Sequence, residues 1–547
     1  MLIVRADLGD ATPSAMRIAE GRIAAVGARL VPRAGEEVFD ARGGAVLPGL
    51  HDHHIHLLAL AAALDSLRCG PPQHHDAESL RAALRRAAAA RPGAWLRGIG
   101  YHESVAGDID RDWIDAVVDC VPVRIQHRSG RLWILNSRAL AALGVGEGTH
   151  DTPLQRRAGR LTGRLYDADA WLRARIGGQW PDLRRASDAL ARRGVTGVSD
   201  AGVDNGPREH AHVAAQQACG RLQLDVLMMG SAALSAAHAA GGSQTRSPTV
   251  SQTDPQTDPQ TDPQTDPQTD PQTDSQTDSQ TDPQTGLRVG LPRGLQAAGQ
   301  AAARADPPGA GGAGAAAPAP ARARLRVGPT KLYLREIALP AFDALCAEIR
   351  CSHASGRAVA IHCVTLAELV FAAEALRAVA ARPGDRIEHA SLCTPQALGL
   401  LGALGVSVVT QPHFVFERGD AYLAELSAEE AGWLYRGRSF LAAGVALAAG
   451  SDAPYGEADP WRAMAAAVRR ETRGGARIGA AEALSPQEAL RLFLGDPWRP
   501  GTGTRTLAAG RRADLCVLDR PWAAMLADLA AVQVRLTLRG GEPIWTS

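Results

Sequence analysis

Four histidines, an aspartate and a lysine carry the strongest chemical signal in this 547-residue sequence. His54 and His56 close the stretch "LPGLHDHHIH" two residues apart, so in an extended chain both imidazoles point the same way. His362 ends "AVAIHC", His389 sits in "DRIEHA", and Asp452 in "LAAGSDAP". Each motif is a short apolar run that breaks into a polar residue. Imidazole and carboxylate together suit zinc or a similar divalent ion. A lone pair of strand histidines would be weak evidence, because most such pairs pack or face solvent. Hydrolysis of an unactivated amide near neutral pH needs a strong nucleophile, and metal-bound water supplies one.

The sixth residue is marked by composition. Of 59 basic side chains 58 are arginine, and the one lysine is Lys331 in "VGPTKLYLRE". In a chain so rich in Arg, Ala and Gly, lysine gives way to arginine wherever either serves. A lysine amine can shed its proton when desolvated and act as a nucleophile, whereas a guanidinium stays charged. Survival by chance on a surface is the competing explanation, since buried lysines are rare.

Composition narrows the remaining classes. A net charge of +1 offers no electrostatic case for nucleic acid or an anionic membrane as partner. The eight cysteines are scattered without a CxxC pair, which fits reduced thiols and a cytoplasmic location. No basic segment followed by an apolar one opens the chain, and no apolar run is long enough to span a bilayer. A small-molecule substrate is the expected partner, and a homodimer is the default assembly for a soluble enzyme.

The elements that must position these residues are legible as an alternation. Candidate strands fall at 45–50, 195–200, 222–229, 330–334, 358–362, 386–389, 406–410 and 445–449. Helical patterns such as "LAELVFAAEALRAVAAR" lie between most of them. Eight such units predict an α/β fold, a (β/α)8 TIM-like barrel whose chemistry collects where strands end. Residues 76–185, between the first two units, form an elaboration over the barrel mouth. Short alternating strands at both termini ("LIVRADL", "AMRIAEGRIAAVG", "ADLCVLD", "VRLTLRGGEPIW") predict a small composite β-sandwich. The expected organisation is therefore 1–50 in the sandwich, 51–232 in the barrel with its elaboration, 325–497 in the barrel again, and 498–547 back in the sandwich. Residues 233–324 interrupt it as a low-complexity insertion. There QTD followed by Pro or Ser repeats eight times from Gln252 to Pro283 with no apolar side chain, so disorder is expected, with a short helix near 295–304. A repeat tolerated in a surface loop explains the tract better than a tether or recognition tail.

With these motifs in this order, the sequence resembles the amidohydrolase superfamily of metal-dependent hydrolases. The resemblance runs through "GRIAAVG", "LPGLHDHHIH", "RIEHA", "GSDAP" and "LAAGRRADLCVLD" and covers nearly the whole chain outside the insertion. "PVRIQHRSGRLWILNSRAL" and "GRLYDADAW" look most like the branch containing N-substituted formamide deformylases. In binuclear members the fourth-strand lysine is carboxylated and bridges two metals. The resemblance thus implies His54, His56 and Asp452 on one ion, His362 and His389 on the other, and Lys331 between. It also implies two zinc-like ions, an activated water that attacks a carbonyl, and Asp452 as the group that carries its proton to the leaving nitrogen. Near the substrate the sequence departs from that branch, with "KLYLREIAL" in place of Asp-Gly after the lysine and "HCVTLAEL" in place of "GDRA". A mononuclear deaminase on the same scaffold is the alternative, although Thr365 stands where adenosine-type deaminases place glutamate. A non-catalytic scaffold built around the repeat is a third, weaker option.

Further candidates flank this set. Tyr101 and His102 in "YHES", with Arg128 and Arg131 in "QHRSGRLW", are expected to bind substrate, the arginines through a carboxylate or carbonyl. Asp52 shares the face of His54 and His56, where it would orient a ligand histidine or cap the strand end. His51, His53 and His413 are expected to pack, Cys363 to face away from the site, and Asp204 and Asn205 carry no assigned role.

Overall fold

The computed structural model describes residues 1–9, 14–71, 73–177, 180–234 and 324–547, so the insertion expected over 233–324 lies almost wholly outside the described residues. Runs of Val, Ile and Ala separated by amphipathic helices fold into parallel strands with helical crossovers, as the alternation predicts. Eight strands form one sheet in chain order: Leu50–Ile55, Val195–Asp200, Asp225–Gly230, Leu325–Tyr333, Val359–Cys363, Arg386–His389, Ser407–Thr410 and Ala446–Ala449. Register is continuous from the fourth strand to the eighth, Lys331 lying beside Ala360, then Arg386, Ser407 and Ala446. Local sequence fixes the crossovers. Thr365 and Glu368 form a reciprocal cap on Leu366–Val379, and Thr394 caps Pro395–Leu404, which ends at Gly405 with φ +65°.

The two edge strands meet at the mouth and nearly close the barrel. There Asp452 N–H donates to His54 O at 2.7 Å, and His56 N–H to Ala453 O at 2.9 Å. A Cβ at Gly450 would lie 2.3 Å from His54 N, so only glycine allows this approach.

The first barrel strand is displaced from its expected position. Val46–Pro48 pairs antiparallel with Leu515–Leu518 in a terminal sheet, and Leu50–Ile55 is the barrel strand. The polar run "HDHHI" lies beyond the expected strand, yet all of it is buried within the observed one. Two of its polar side chains find partners inside: His51 Nε2 meets Ser199 Oγ at 3.0 Å, and Asp52 accepts two backbone N–H groups. The fourth strand also runs longer than expected and carries Lys331 two residues before its end.

Two four-stranded sheets hold the termini. Leu2–Ala6, Ser14–Ala19, Arg22–Gly27 and Val38–Asp40 make one; Val46–Pro48, Leu515–Leu518, Val534–Arg539 and Glu542–Thr546 make the other. They share an apolar core that includes Ile3, Met16, Ile23, Leu515, Val517 and Leu536. The elaboration is built on a six-stranded mixed sheet between Leu67 and Tyr166 with its own core around Leu84, Val123, Ile125 and Ile134. Among the described residues no helix is long and apolar enough to cross a membrane.

Candidate metal centre

The site forms where barrel strands stop being apolar. His54 and His56 leave the first strand on the same side, and Asp452 follows the eighth through "GSD". His54 Nε2 lies 3.4 Å and His56 Nε2 3.2 Å from Asp452 Oδ1. One donor atom from each of the three falls within 4.8 Å of the others, the only such group among the described residues. His389 at the end of the sixth strand brings its ring 4.7 Å from that of His54, and His362 from the fifth lies 4.5 Å from His389. With His56 5.4 Å from His54, four imidazoles thus form a chain of neighbouring rings. His389 Nδ1 is taken up by Gln411 Oε1 at 2.8 Å, which leaves Nε2 to face inward.

Lys331 reaches the same space from the fourth strand. Its side chain is buried, and Nζ has no hydrogen-bond partner. Burial pushes the amine below the usual lysine range, partly offset by the Glu388 carboxylate. His54 Nε2 and Asp452 Oδ1 are likewise buried without a hydrogen bond. Leaving such groups unpaired costs about 1–3 kcal/mol each, so three together call for something to satisfy them. Two kinds of donor here, imidazole and carboxylate, fit a divalent cation, and the lysine amine lies beside them.

The backbone is strained at two of these residues. His389 has φ +70° and Asp452 φ +50°, a left-handed conformation that non-glycine side chains rarely adopt. Such strain costs about 1–3 kcal/mol per residue and collects at functional positions.

Glu388 is the residue that sequence reasoning missed. Its Oε2 lies 2.5 Å from His54 Nδ1, and Arg386 Nε lies 2.6 Å from Oε1, with both side chains fully buried. Burial opposes charge on Glu388, but the Arg386 guanidinium and its neighbours outweigh it and hold the carboxyl well below its usual range. The ionised carboxylate fixes the His54 ring so that Nε2 faces the mouth. A charged residue in the strand Arg386–His389, buried at every position, was the available signal.

Other candidates resolve differently. Asp52 accepts from the backbone of His54 at 3.1 Å and Ser451 at 2.9 Å, joining the first strand to the chain after the eighth rather than orienting an imidazole. Burial raises its carboxyl to about 6. His413 Nε2 donates to Ser451 O at 2.9 Å, and Cys363 Sγ faces the helix after its strand, toward Glu368 O. Thr365 is spent as a helix cap. Asn205 is buried and bridges Asp200 and Met229 O.

The four residues expected at the substrate lie in the elaboration. Tyr101 is buried in its core, and its hydroxyl donates to Gly107 O at 2.6 Å. His102 Nδ1 is taken up locally by Ser104 at 2.8 Å. Arg131 pairs with Asp167, and Arg128 is exposed beside it. Of the four, Tyr101 commits its polar atom to backbone and its ring to the core.

Known proteins resemble this chain over nearly its whole length. The sequence profile of the amidohydrolase family matches residues 37–545. An N-substituted formamide deformylase from Arthrobacter pascens is 27% identical, over 98% of this chain and 95% of its own length. An uncharacterized metal-dependent hydrolase from Pyrococcus horikoshii OT3 superposes with a TM-score of 0.67 at 19% identity, covering 99% of each chain. Another from Pyrococcus furiosus gives 0.66 at 19% identity, over 95% of this chain and 98% of its own. At that identity the two structures share the fold.

Proposed function

This chain belongs to the amidohydrolase family, and from that premise we propose that it hydrolyses a carbon–nitrogen bond in a small amide or formamide. His54, His56 and Asp452 would hold one divalent ion, and His362, His389 and a carboxylated Lys331 would complete the place of a second. The observation that carries this reading is the set of buried atoms without a hydrogen bond, His54 Nε2, Asp452 Oδ1 and Lys331 Nζ, at one end of the barrel. Bound there, zinc or a similar ion supplies a Lewis acid and a water acidic enough to attack near neutral pH.

The protein's own groups do the rest. His54 is held in one orientation by Glu388, so its Nε2 is aimed before any ligand arrives. Asp452 Oδ1, against both His54 and His56, takes the proton of the attacking water and returns it to the departing nitrogen. Lys331 adds through its neutral Nζ to carbon dioxide, forming an N–C bond with loss of a proton. Arginine cannot do this, which explains why one lysine remains in an arginine-rich chain. Resemblance to the Arthrobacter deformylase favours an N-substituted formamide over other amides.

Elemental metal analysis of the full chain, prepared with bicarbonate and without chelator, tests this beside Lys331→Ala. About two ions per chain, falling to one or none in the variant, are expected of the bridged site. One ion in both proteins would make the centre mononuclear, as the three-donor group alone allows. No metal in either after reconstitution would overturn the hydrolase.

A further inference from the structure

We propose that the helix after the seventh barrel strand, His413–Glu425, positions Asp452, with His413 and Arg418 as its positioning residues. The inference rests on the hydrolase reading above and names what holds its proton carrier. Asp452 needs such support, because its backbone is left-handed at φ +50° and its Oδ1 makes no hydrogen bond. The chain on either side of it is held from this one helix. His413 Nε2 donates to Ser451 O at 2.9 Å, one residue before Asp452. Arg418 Nη2 donates to Tyr455 O at 2.8 Å, three residues after it. Glu417 Oε1 accepts from Glu457 N–H at 3.0 Å.

Residues 413, 414, 417 and 418 share one face of the helix by their spacing. The Phe414 ring lies 4.9 Å from that of His413 and 3.7 Å from the Arg418 guanidinium carbon, which restrains both polar side chains. Contact with the loop is close: a Cβ at Gly456 would meet His413 Nε2 at 2.3 Å and Ser451 O at 2.6 Å. Tyr455 N–H and Gly456 N–H donate in turn to Asp452 O at 2.8 and 3.3 Å, so a shift at 455 is passed directly to Asp452. The same unit reaches the other side of the centre, since Gln411, two residues before His413, takes up His389 Nδ1. The seventh strand and its helix give no donor to the proposed metal set. They fix two residues that do.

The test uses the full chain with His413→Phe, which keeps a ring and loses the donor, and Arg418→Ala. His413→Gln and Arg418→Lys, which keep a donor, stand beside them. Hydrogen exchange of the amides in 451–457 is read on metal-free protein, the zinc dissociation constant by chelator competition, and kcat and KM on an N-substituted formamide. In His413→Phe exchange should quicken and the dissociation constant should rise about 10-fold. Its kcat should fall about 10-fold with KM within about twofold of wild type. Arg418→Ala should move the same readouts in the same direction by about threefold, because its bond is solvent-exposed. The Gln and Lys variants should recover most of each loss. A helix that merely packs would lower the thermal midpoint and leave the metal constant and kcat of the folded protein unchanged, and that result overturns the proposal. So does unchanged exchange in both variants, or a rise in KM alone, which would put the helix on substrate. If His413→Phe does not fold, Arg418→Ala decides by itself. Quickened exchange in a chain whose wild type hydrolyses nothing would refute the hydrolase and leave the positioning helix standing.

Discussion

Two histidine clusters in this chain use the same residue types and reach opposite states. In the elaboration His102 and His127 stack with ring centres 6.2 Å apart and both turn toward Glu103. Each spends Nδ1 on a serine two residues downstream, Ser104 and Ser129, at 2.8 Å. His127 Nε2 meets the Glu103 carboxylate at 3.2 Å, and that carboxylate is half exposed. At the barrel mouth His54 Nε2 and Asp452 Oδ1 are buried 3.4 Å apart and make no hydrogen bond. The first cluster is complete as it stands. The second holds polar atoms out of water at a cost, and only a ligand offsets it. Composition does not separate the two; satisfaction does.

The hardest way to break the contrast is through Asp452. Asp452→Asn keeps the shape and removes the proton acceptor, so kcat on a formamide should fall about 10³-fold. Near-normal thermal stability in the same variant would show that the fold is intact. Activity within a few-fold of wild type would mean that the mouth cluster is as inert as the one in the elaboration.

A second test asks what keeps the buried His413 imidazole neutral. Burial lowers His413 to about 4 from an ordinary value near 6.5. Between those values the unfolded chain binds the extra proton and the folded chain does not. The stability this group contributes is therefore complete above pH 6.5 and is lost as pH falls toward 4. The window corresponds to a loss on the order of 3 kcal/mol. Urea unfolding at pH 7, 5.5 and 4 should show a shallower decline in His413→Gln, and an unchanged slope would contradict the assignment.

How much of this was legible depended on whether a residue's role is set by its own strand or by a distant one. His54, His56, Lys331, His362, His389 and Asp452 could be placed at one end of a barrel because each follows a short buried run, and type plus position sufficed. Glu388 was passed over because its meaning lies in His54, 334 residues earlier in the chain. Tyr101 looked available because "YHES" is polar, yet its hydroxyl is bound to Gly107 O across a turn. The first barrel strand was misplaced for a related reason. "HDHHI" is polar in sequence, and only the neighbouring strands reveal that Ser199 and backbone N–H groups receive those side chains. Val46–Pro48 belongs to a partner strand near residue 515, a pairing that local pattern cannot specify.

Glu388 gives the next, smaller test. Glu388→Gln preserves volume but removes the charge that Arg386 supports and His54 faces. The metal dissociation constant, measured by competition with a chelator, should rise about 10- to 100-fold. His54 would still be present, so the effect should stay well below that of losing a ligand. An unchanged constant would mean that packing alone orients the ring.

The smallest effect is expected in the elaboration, and it decides whether the contrast is real. His127→Ala removes an imidazole whose polar atoms are satisfied by Ser129 and Glu103 in a partly solvated setting. Exposed pairs of this kind are worth about 0–1 kcal/mol, so thermal stability should move by no more than a few degrees. Metal content per chain and kcat on a formamide should both stay at the wild-type level. If metal content fell with His127, the cluster around Glu103 would be a binding site in its own right, and satisfied hydrogen bonding would no longer distinguish inert histidines from working ones. If only KM rose, the elaboration would be touching substrate through this ring while leaving the chemistry to the mouth.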